Sequence, residues 1–252
     1  ELAARRSGRL VTYGLHGKAD VAAEDVTVSP QGLSFTLSIG SDKGKVEMAA
    51  AGAHNLMNAL AAAAISRALE IPPDVIRRGL QSFKPIPGRM EIIPLKNGGF
   101  LIDDSYNANP VSVREALMTF RNLRADSRGT VILGDMLELG GQTEAWHEEI
   151  GGLLASTGVD RIFLQGAFAR MTAAGAQKKG LSPACIFFPS APEDVVADLS
   201  STWQEGDWLL VKGSRAMKME EIVTGIIAEF GRTDGVSVYR DSAVTRQQNL
   251  KV

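Results

Sequence analysis

The stretch Phe100-Leu-Ile-Asp-Asp-Ser-Tyr-Asn-Ala-Asn-Pro110 contains a short apolar run, a polar turn and the start of a helix in immediate succession. Its first part, Phe100–Asp104, predicts a strand, and Asn109 before Pro110 predicts an N-cap followed by proline at the first helical position. One face of the following helix carries Val113, Ala116, Leu117 and Phe120. A strand that passes through a polar turn into an amphipathic helix is typical of a parallel α/β sheet.

The same alternation continues on both sides of this unit. Further strands are predicted at Met90–Leu95, Thr130–Gly134, Arg161–Gln165, Cys185–Pro189 and Asp207–Lys212. Three more helices are predicted, with apolar faces at Trp146, Ile150, Leu153 and Leu154, at Val195, Val196, Leu199 and Trp203, and at Ile222, Val223, Ile226, Ile227 and Phe230. The hairpin-type turn Lys96–Gly99 makes the first strand antiparallel to the second. Residues 90–231 are therefore predicted to form an α/β, Rossmann-like domain with a mainly parallel sheet.

Residues 1–84 have a different pattern. Strands are predicted at Val26–Val28, Leu33–Ile39 and Lys45–Ala49, and helices from His54 to Glu70 and from Pro72 to about Phe83. Three strands and two helices form a small core with exposed sheet edges, so we expect the tail of a larger α/β domain that begins upstream of Glu1. The alternating prolines of Lys84–Gly88 predict an extended hinge at residues 85–89. Residues 232–252 have no sustained periodicity and are expected to form a tail.

The composition excludes several classes of protein. Lys and Arg number 27 against 29 Asp and Glu, and this balance argues against a nucleic-acid partner. Cys185 is the only cysteine, which excludes an internal disulfide and a cysteine-built zinc site. No apolar run reaches the ~18 residues that span a bilayer, and no signal peptide is visible, so we expect a cytoplasmic protein without membrane insertion.

In an open α/β sheet, ligands bind at the carboxyl ends of the strands. This rule selects the loops Asp103–Pro110, Gly134–Gly140, Gln165–Gly166 and Lys212–Ala216.

Each polar residue in these loops has a structural and a functional interpretation. Asp103 and Asp104 alternate in direction on a strand, so at most one faces a given cleft. Asp104 is a candidate ligand-facing carboxylate, and Asp135 serves either its own turn or a ligand. Lys212 and Arg215 are either solvated strand ends or an anion site at a helix N-terminus, where Ser214 is a candidate cap.

The histidines and asparagines give weaker signals. His147 lies off the predicted apolar face and is expected at the surface, and His16 receives no role. Asn55 and Asn58 are one turn apart, so they either cap their helix or bind one planar base together. Gly40–Lys45 resembles a phosphate-binding loop, but its spacing is wrong and Val46 replaces the required hydroxyl, so it is predicted to be a hairpin turn.

Five ordered blocks between residues 10 and 230 resemble the Mur ligases, which build the peptide stem of bacterial peptidoglycan. They are Gly52–Ala63, with the pattern G-x-H-N-x-x-N-A-x-A-A, then Ser82–Glu91, Ile102–Pro110, Leu133–Gly140 and Val211–Met217. The D-D-S-Y-N-A-N-P and V-K-G-S-R blocks resemble the branch that adds D-alanyl-D-alanine to UDP-N-acetylmuramoyl-tripeptide.

The resemblance implies an ATP- and Mg²⁺-dependent ligase that acts through an acyl phosphate, and it makes residues 1–84 the C-terminal part of an ATPase-type central domain. We expect a monomer. The implied ATP contacts are Asn55, Asn58, Arg89 and Asp104, which would reach the adenine, the phosphates and the ribose. The implied dipeptide contacts are Asn107, Ser214 and Arg215.

The chain departs from the family pattern in having no P-loop, so the P-loop lysine and the Mg²⁺ ligands are expected upstream of Glu1. We therefore expect no catalytic residue and no metal ligand within these 252 residues, and an inactive polypeptide. The alternative is a non-catalytic Rossmann-like module that binds a nucleotide or dipeptide. An oxidoreductase is disfavoured because no glycine fingerprint opens the domain.

Overall fold

The computed structural model describes residues 10–15 and 19–233, which form two compact units. The first unit ends at Lys84 and the second begins at Pro85. His16 lies outside the described residues, as does the predicted tail beyond Thr233.

The first unit is a four-stranded sheet with two helices. Its elements are β1 (Tyr13–Gly14), β2 (Val21–Ser29), β3 (Gly32–Ile39), β4 (Asp42–Met48), α1 (Ala53–Ala68) and α2 (Pro73–Gln81). The strands lie in chain order; β1 pairs parallel with β2, and the other pairs are antiparallel. Alternate residues of β3, such as Phe35 and Leu37, pack in one core with Leu56 and Leu60 of α1.

Two details of the first unit differ from prediction. β2 begins at Val21, five residues before the predicted start at Val26, because the register shifts between Glu24 and Thr27 and hides the alternation. The strand β1 was not predicted, since two residues give no periodicity. The turn between β3 and β4 confirms that Gly40–Lys45 belongs to a hairpin.

The second unit is built on a six-stranded sheet. Its strands are β5 (Glu91–Leu95), β6 (Gly99–Asp104), β7 (Gly129–Leu133), β8 (Arg161–Leu164), β9 (Ile186–Phe187) and β10 (Asp207–Lys212). Their spatial order is β5–β6–β10–β7–β8–β9; β5 is antiparallel to β6, and every other neighbouring pair is parallel. The predicted mainly parallel sheet with an antiparallel first strand is confirmed.

Five helices cover this sheet. They are α3 (Pro110–Arg124), α4 (Thr143–Ser156), α5 (Ala169–Lys178), α6 (Pro192–Thr202) and α7 (Glu220–Phe230). Helices α6 and α7 share a core with Leu101 and Leu209, whereas α3, α4 and α5 pack against one another and contact β10 and β8. The predicted N-cap is confirmed, since the Asn109 side chain accepts a hydrogen bond from the Ser112 amide at 2.8 Å and Pro110 opens α3.

Helix α5 was not predicted, because its buried face is made of small residues: Ala169, Thr172, Ala173, Gly175 and Ala176. These allow a close crossing with α4. A Cβ at Gly151 would overlap the Thr172 carbonyl oxygen, and one at Gly175 would overlap that of Glu148. Large hydrophobic residues at helical spacing, which mark most buried helices, are therefore missing from the buried face of α5, because its packing requires small residues.

The expected surface position of His147 is wrong: the residue is 1% exposed. The buried stripe of α4 is His147, Ile150, Gly151 and Leu154, so the helix is rotated away from the predicted face centred on Trp146 and Leu153. The i, i+3, i+4, i+7 spacing that begins at His147 was present in the sequence, but a histidine and a glycine concealed it.

Candidate functional site

Three strand ends meet at the centre of the second sheet. Because β10 lies between β6 and β7, the loops that follow these strands are neighbours at the carboxyl edge. The chain order also reverses here, since it runs outward from β7 to β9 and returns at β10. Such a switch point is where open α/β sheets bind ligands.

Asp103 and Asp104 both bind the backbone of the segment that enters the domain. The Gly88 amide donates to Asp103 Oδ2 at 3.0 Å, and the Met90 amide donates to Asp104 Oδ1 at 3.1 Å. The Tyr106 amide in turn donates to the Gly88 carbonyl at 2.9 Å. Together the two carboxylates fix the residues on either side of Arg89.

Lys212 is a buried partner of Asp104 rather than part of an open anion site. Its side chain is 2% exposed, and Nζ donates to Asp104 Oδ2 at 2.5 Å and to the Asn107 carbonyl at 2.9 Å. Arg215 also has a carboxylate partner, Glu220, at 3.1 Å. The interpretation of Lys212 and Arg215 as one anion site is therefore wrong, because the Lys212 ammonium is buried and donates to Asp104 and to the Asn107 carbonyl.

Two guanidinium groups lie against the ring of Tyr106. The Arg89 Cζ lies 4.1 Å from the ring centroid and the Arg215 Cζ lies 5.7 Å from it. Arg89 comes from the segment before β5 and Arg215 from the loop after β10, so residues at opposite ends of the domain sequence converge. Sequence reasoning missed Tyr106; the signal was a single aromatic residue in a polar strand-end loop.

Ser214 connects the three loops. Its Oγ accepts from the Leu137 amide at 2.8 Å and donates to the Ala108 carbonyl at 3.3 Å, and its amide donates to the Asp135 carbonyl at 3.0 Å. Its side chain does not cap the short 3₁₀ turn that follows, so that expectation is wrong. The hydroxyl instead satisfies buried backbone groups of two other loops.

Asp135 and His147 form a second buried polar group at this edge. Asp135 accepts from the Ala167 and Phe168 amides, the closest contact being 2.7 Å, so it binds the loop after β8 rather than its own turn. The Met136 amide donates to His147 Nε2 at 3.0 Å, so Nδ1 carries the proton and donates to the Thr143 carbonyl at 2.7 Å. Burial raises the pKa of the Asp135 carboxyl above its ordinary value.

Asn107 and the two asparagines of the first unit are accessible. Asn107 is exposed, and its Oδ1 accepts from the Ala108 amide at 2.9 Å. Asn55 donates to the Ala51 carbonyl at 2.7 Å, and the Asn58 amide lies 3.5 Å from Asn55 Oδ1. Capping of α1 by these side chains is wrong, because Gly52 is the N-cap without a side-chain hydrogen bond. Their amides are adjacent, as a shared planar ligand requires.

The described part of the chain has neither a metal-binding cluster nor a membrane-spanning helix. No three His, Cys, Asp or Glu side chains there are grouped to hold a metal ion. No helix there has both the length and the apolar character needed to cross a membrane.

Comparison with known proteins gives matches that extend over both units. Residues 88–215 match the family described as Mur ligase, glutamate ligase domain, and residues 1–66 match the Mur ligase middle domain. The chain is 33% identical over 216 residues to the UDP-N-acetylmuramoyl-tripeptide–D-alanyl-D-alanine ligase of Bacillus subtilis, which covers 86% of this chain and 47% of that protein. The protein of the same name from Escherichia coli is 33% identical over 210 residues, with coverages of 82% and 44%.

A solved structure of MurF from Acinetobacter baumannii superimposes with a TM-score of 0.74 at 29% identity, covering 86% of this chain and 47% of that one. The chain spans about half the length of the curated relatives it matches. The chain belongs to the Mur ligase family.

Proposed function

We propose that this chain provides the nucleotide- and dipeptide-facing residues of a ligase that joins D-alanyl-D-alanine to UDP-N-acetylmuramoyl-tripeptide. The observation that carries the proposal is the convergence of Arg89 and Arg215 on Tyr106, beside the buried Asp104–Lys212 pair, at the switch point of the sheet. The reaction brings anionic substrates together, and fixed cations reduce their repulsion. The names of the relatives support this branch of the family.

The proposed ATP contacts have suitable chemistry. Asp104 keeps 13% of its side chain exposed, and carboxylate oxygens accept hydrogen bonds of the kind that ribose hydroxyls donate. Arg89 is exposed and makes no ion pair with any described residue, so its guanidinium can bind phosphate. Asn55 and Asn58 present adjacent amides of the kind that bind an adenine edge. ATP, with Mg²⁺ as its counterion, would supply the phosphoryl group that activates the peptide carboxylate.

The proposed dipeptide contacts are Asn107, Ser214 and Arg215. Arg215 is 62% exposed at its side chain and offers a planar fork for the terminal carboxylate of the dipeptide. Asn107 is exposed in the loop after β6 and directly follows Tyr106, whose ring centroid lies 5.7 Å from the Arg215 Cζ. Ser214 holds the loops after β6 and β7 together, so it would position the other two residues as well as the ligand.

We also propose that a polypeptide of these 252 residues is inactive by itself, because it contains no G-x-x-x-x-G-K-[ST] segment to cradle the ATP phosphates. The test is phosphate release with ATP, Mg²⁺, UDP-N-acetylmuramoyl-tripeptide and D-alanyl-D-alanine. It compares this chain with one extended upstream through the native reading frame. Dipeptide-dependent release by the extended protein only is the expected result.

Two results would change this proposal. Robust turnover by the 252-residue chain would contradict the inactivity, and no release from either protein would favour the alternative, a binding module without catalysis. In that case the extended protein should still bind nucleotide or dipeptide at equilibrium. A control assay replaces UDP-N-acetylmuramoyl-tripeptide with an analogue that lacks a free carboxylate. Phosphate released in that assay comes from ATP hydrolysis that is independent of ligation.

A further inference from the structure

We propose that Tyr106 is a positioning residue whose aromatic face holds Arg89 and Arg215 ready for two anionic ligands at once. The inference rests on the proposed function and adds a residue to its site. The ring is 44% exposed, although its loop is otherwise polar or buried. A large exposed aromatic side chain at a switch point requires a reason, and the two guanidinium groups on its ring provide one.

The ring can orient these cations without neutralising them. A carboxylate would occupy the N–H donors that an anionic ligand needs, whereas a cation–π contact uses the flat face of the guanidinium and leaves its edge available. Arg89 has no carboxylate partner among the described residues. Arg215 has only Glu220, in a pair whose side chains are 62% and 40% exposed. Both arginines can therefore offer N–H donors to an anionic ligand.

Backbone contacts hold Tyr106 in position without involving its side chain. The Tyr106 amide donates to the Gly88 carbonyl at 2.9 Å, and the Gly88 amide donates to Asp103. Gly88 has φ +75°, and a Cβ there would lie 3.2 Å from the Tyr106 Cβ, so the two loops are in close contact. Replacing only the ring should therefore leave this anchor intact.

The phenol hydroxyl makes no hydrogen bond to any described residue, so the face of the ring is the feature that matters. Two classes of variant separate this from other roles. Tyr106→Phe and Tyr106→Trp keep an aromatic face, whereas Tyr106→Leu and Tyr106→Met keep an apolar side chain without one. Positioning by the ring predicts that Phe and Trp behave like Tyr and that Leu and Met do not.

The size and order of the effects follow from the distances. Loss of one exposed cation–π contact is worth about a two- to fivefold change in affinity. Arg89 lies 4.1 Å from the centroid and Arg215 lies 5.7 Å from it, close to the limit for such a contact. Tyr106→Leu should therefore raise the KM for ATP more than the KM for D-alanyl-D-alanine, with little change in kcat.

The test combines these KM values, measured on the upstream-extended protein, with NMR of the 252-residue chain. The arginine Nε–H signal of Arg89 should show a ring-current shift in the Tyr, Phe and Trp proteins and lose it in the Leu and Met proteins. The same chain is titrated with inorganic pyrophosphate and with D-alanyl-D-alanine as direct binding probes. Phe188→Leu is the matched control, since Phe188 is 38% exposed, lies directly after the edge strand β9 and has the Arg170 Cζ 4.3 Å from its ring centroid.

The inference is supported if the ring-current shift and the affinities fall together in the Leu and Met variants but not in Phe188→Leu. It is overturned if Tyr106→Leu and Tyr106→Phe have equal affinities for the two probes while the wild type binds both. The proposed function survives that result. If the wild type binds neither probe and the extended protein does not turn over, the inference fails together with the proposed function.

Discussion

The two units use their polar residues in different ways. In the first unit, the residues proposed to bind the nucleotide lie on α1: Asn58 is exposed, and its one partner among the described residues is the half-buried Asn55. In the second unit, Asp104 and Ser214 belong to buried hydrogen-bond networks that also hold the loops. Binding and stability should therefore be separable in the first unit and coupled in the second. The following predictions test that contrast, from the largest effect to the smallest.

The largest effect is expected from Lys212→Met. It leaves Asp104 at the end of a buried strand without its ammonium partner, and breaking such a pair should lower the free energy of unfolding by about 3 kcal/mol. Urea denaturation followed by tryptophan fluorescence measures this, because Trp146, Trp203 and Trp208 all lie in the second unit.

Lys178→Met is the matched control for that experiment. Its ion pair with Glu148 has the same 2.5 Å length, but the side chains are 65% and 44% exposed, so the change should cost less than about 0.5 kcal/mol. Equal losses for Lys212→Met and Lys178→Met would contradict the idea that burial makes the polar network of the second unit essential.

The next effect concerns glycine. Gly151→Ala places a methyl group against the Thr172 backbone and should destabilise the second unit by about 1–3 kcal/mol. Gly152→Ala on the same helix meets the flexible Lys179 side chain at 3.3 Å and the Gly175 carbonyl oxygen at an ordinary 3.8 Å, so it should be tolerated. In the first unit, Gly79 of α2 has no atom within 4 Å of such a methyl, so Gly79→Ala should stabilise by about 0.5–1 kcal/mol. Thermal melting by circular dichroism compares the three, and a stable Gly151→Ala protein would argue against a close helix crossing.

A smaller, pH-dependent effect is expected from Asp135. Burial raises the pKa of its carboxyl, outweighing the opposing influence of the Phe168 and Ala167 amides. The folded protein therefore binds this proton more tightly than the unfolded chain does, and Asp135 contributes stability below its unfolded pKa near 3.8 that is lost as the pH rises through the higher folded pKa.

Asp135→Asn cannot titrate, so it removes this dependence. The free energy of unfolding of the wild type minus that of Asp135→Asn should decrease as the pH rises from below 3.8 through the raised pKa. Urea titrations at a series of pH values measure this difference, and other acidic residues present in both proteins cancel to first order. A difference that is constant or increases with pH would contradict the predicted direction.

The smallest change in stability is expected from Asn58→Ala in the first unit. The residue is exposed within α1, and alanine has the higher helix propensity, so the free energy of unfolding should stay the same or rise by up to about 0.7 kcal/mol. If Asn58 contacts adenine as proposed, the KM for ATP of the extended protein should rise nonetheless. A large loss of stability would show that α1 depends on this side chain and would remove the contrast between the units.

Local sequence patterns alone predict the order of the strands and of all the helices but α5 in the second unit. Each central strand is a continuous apolar run, and most of the helices bury large residues at helical spacing, so local patterns were sufficient. The N-cap at Asn109 was also readable, because capping involves residues only three positions apart. The ordered motifs indicated the family, which the comparisons show.

Contacts between residues far apart in the chain depend on the tertiary structure and could not be predicted from those local patterns. The insertion of β10 between β6 and β7 places Lys212 against Asp104, 108 residues apart in the chain, and turns a candidate anion-binding ammonium into an internal partner. His147 lies on the buried stripe of α4, and the Met136 amide satisfies its ring by donating a hydrogen bond to Nε2. Arg215 reaches Tyr106, where it meets Arg89, because β10 lies next to β6 and the loops that follow these two strands are neighbours. Such pairings depend on which strands become neighbours, and that is settled by the packing of the whole sheet and its helices rather than by any local segment.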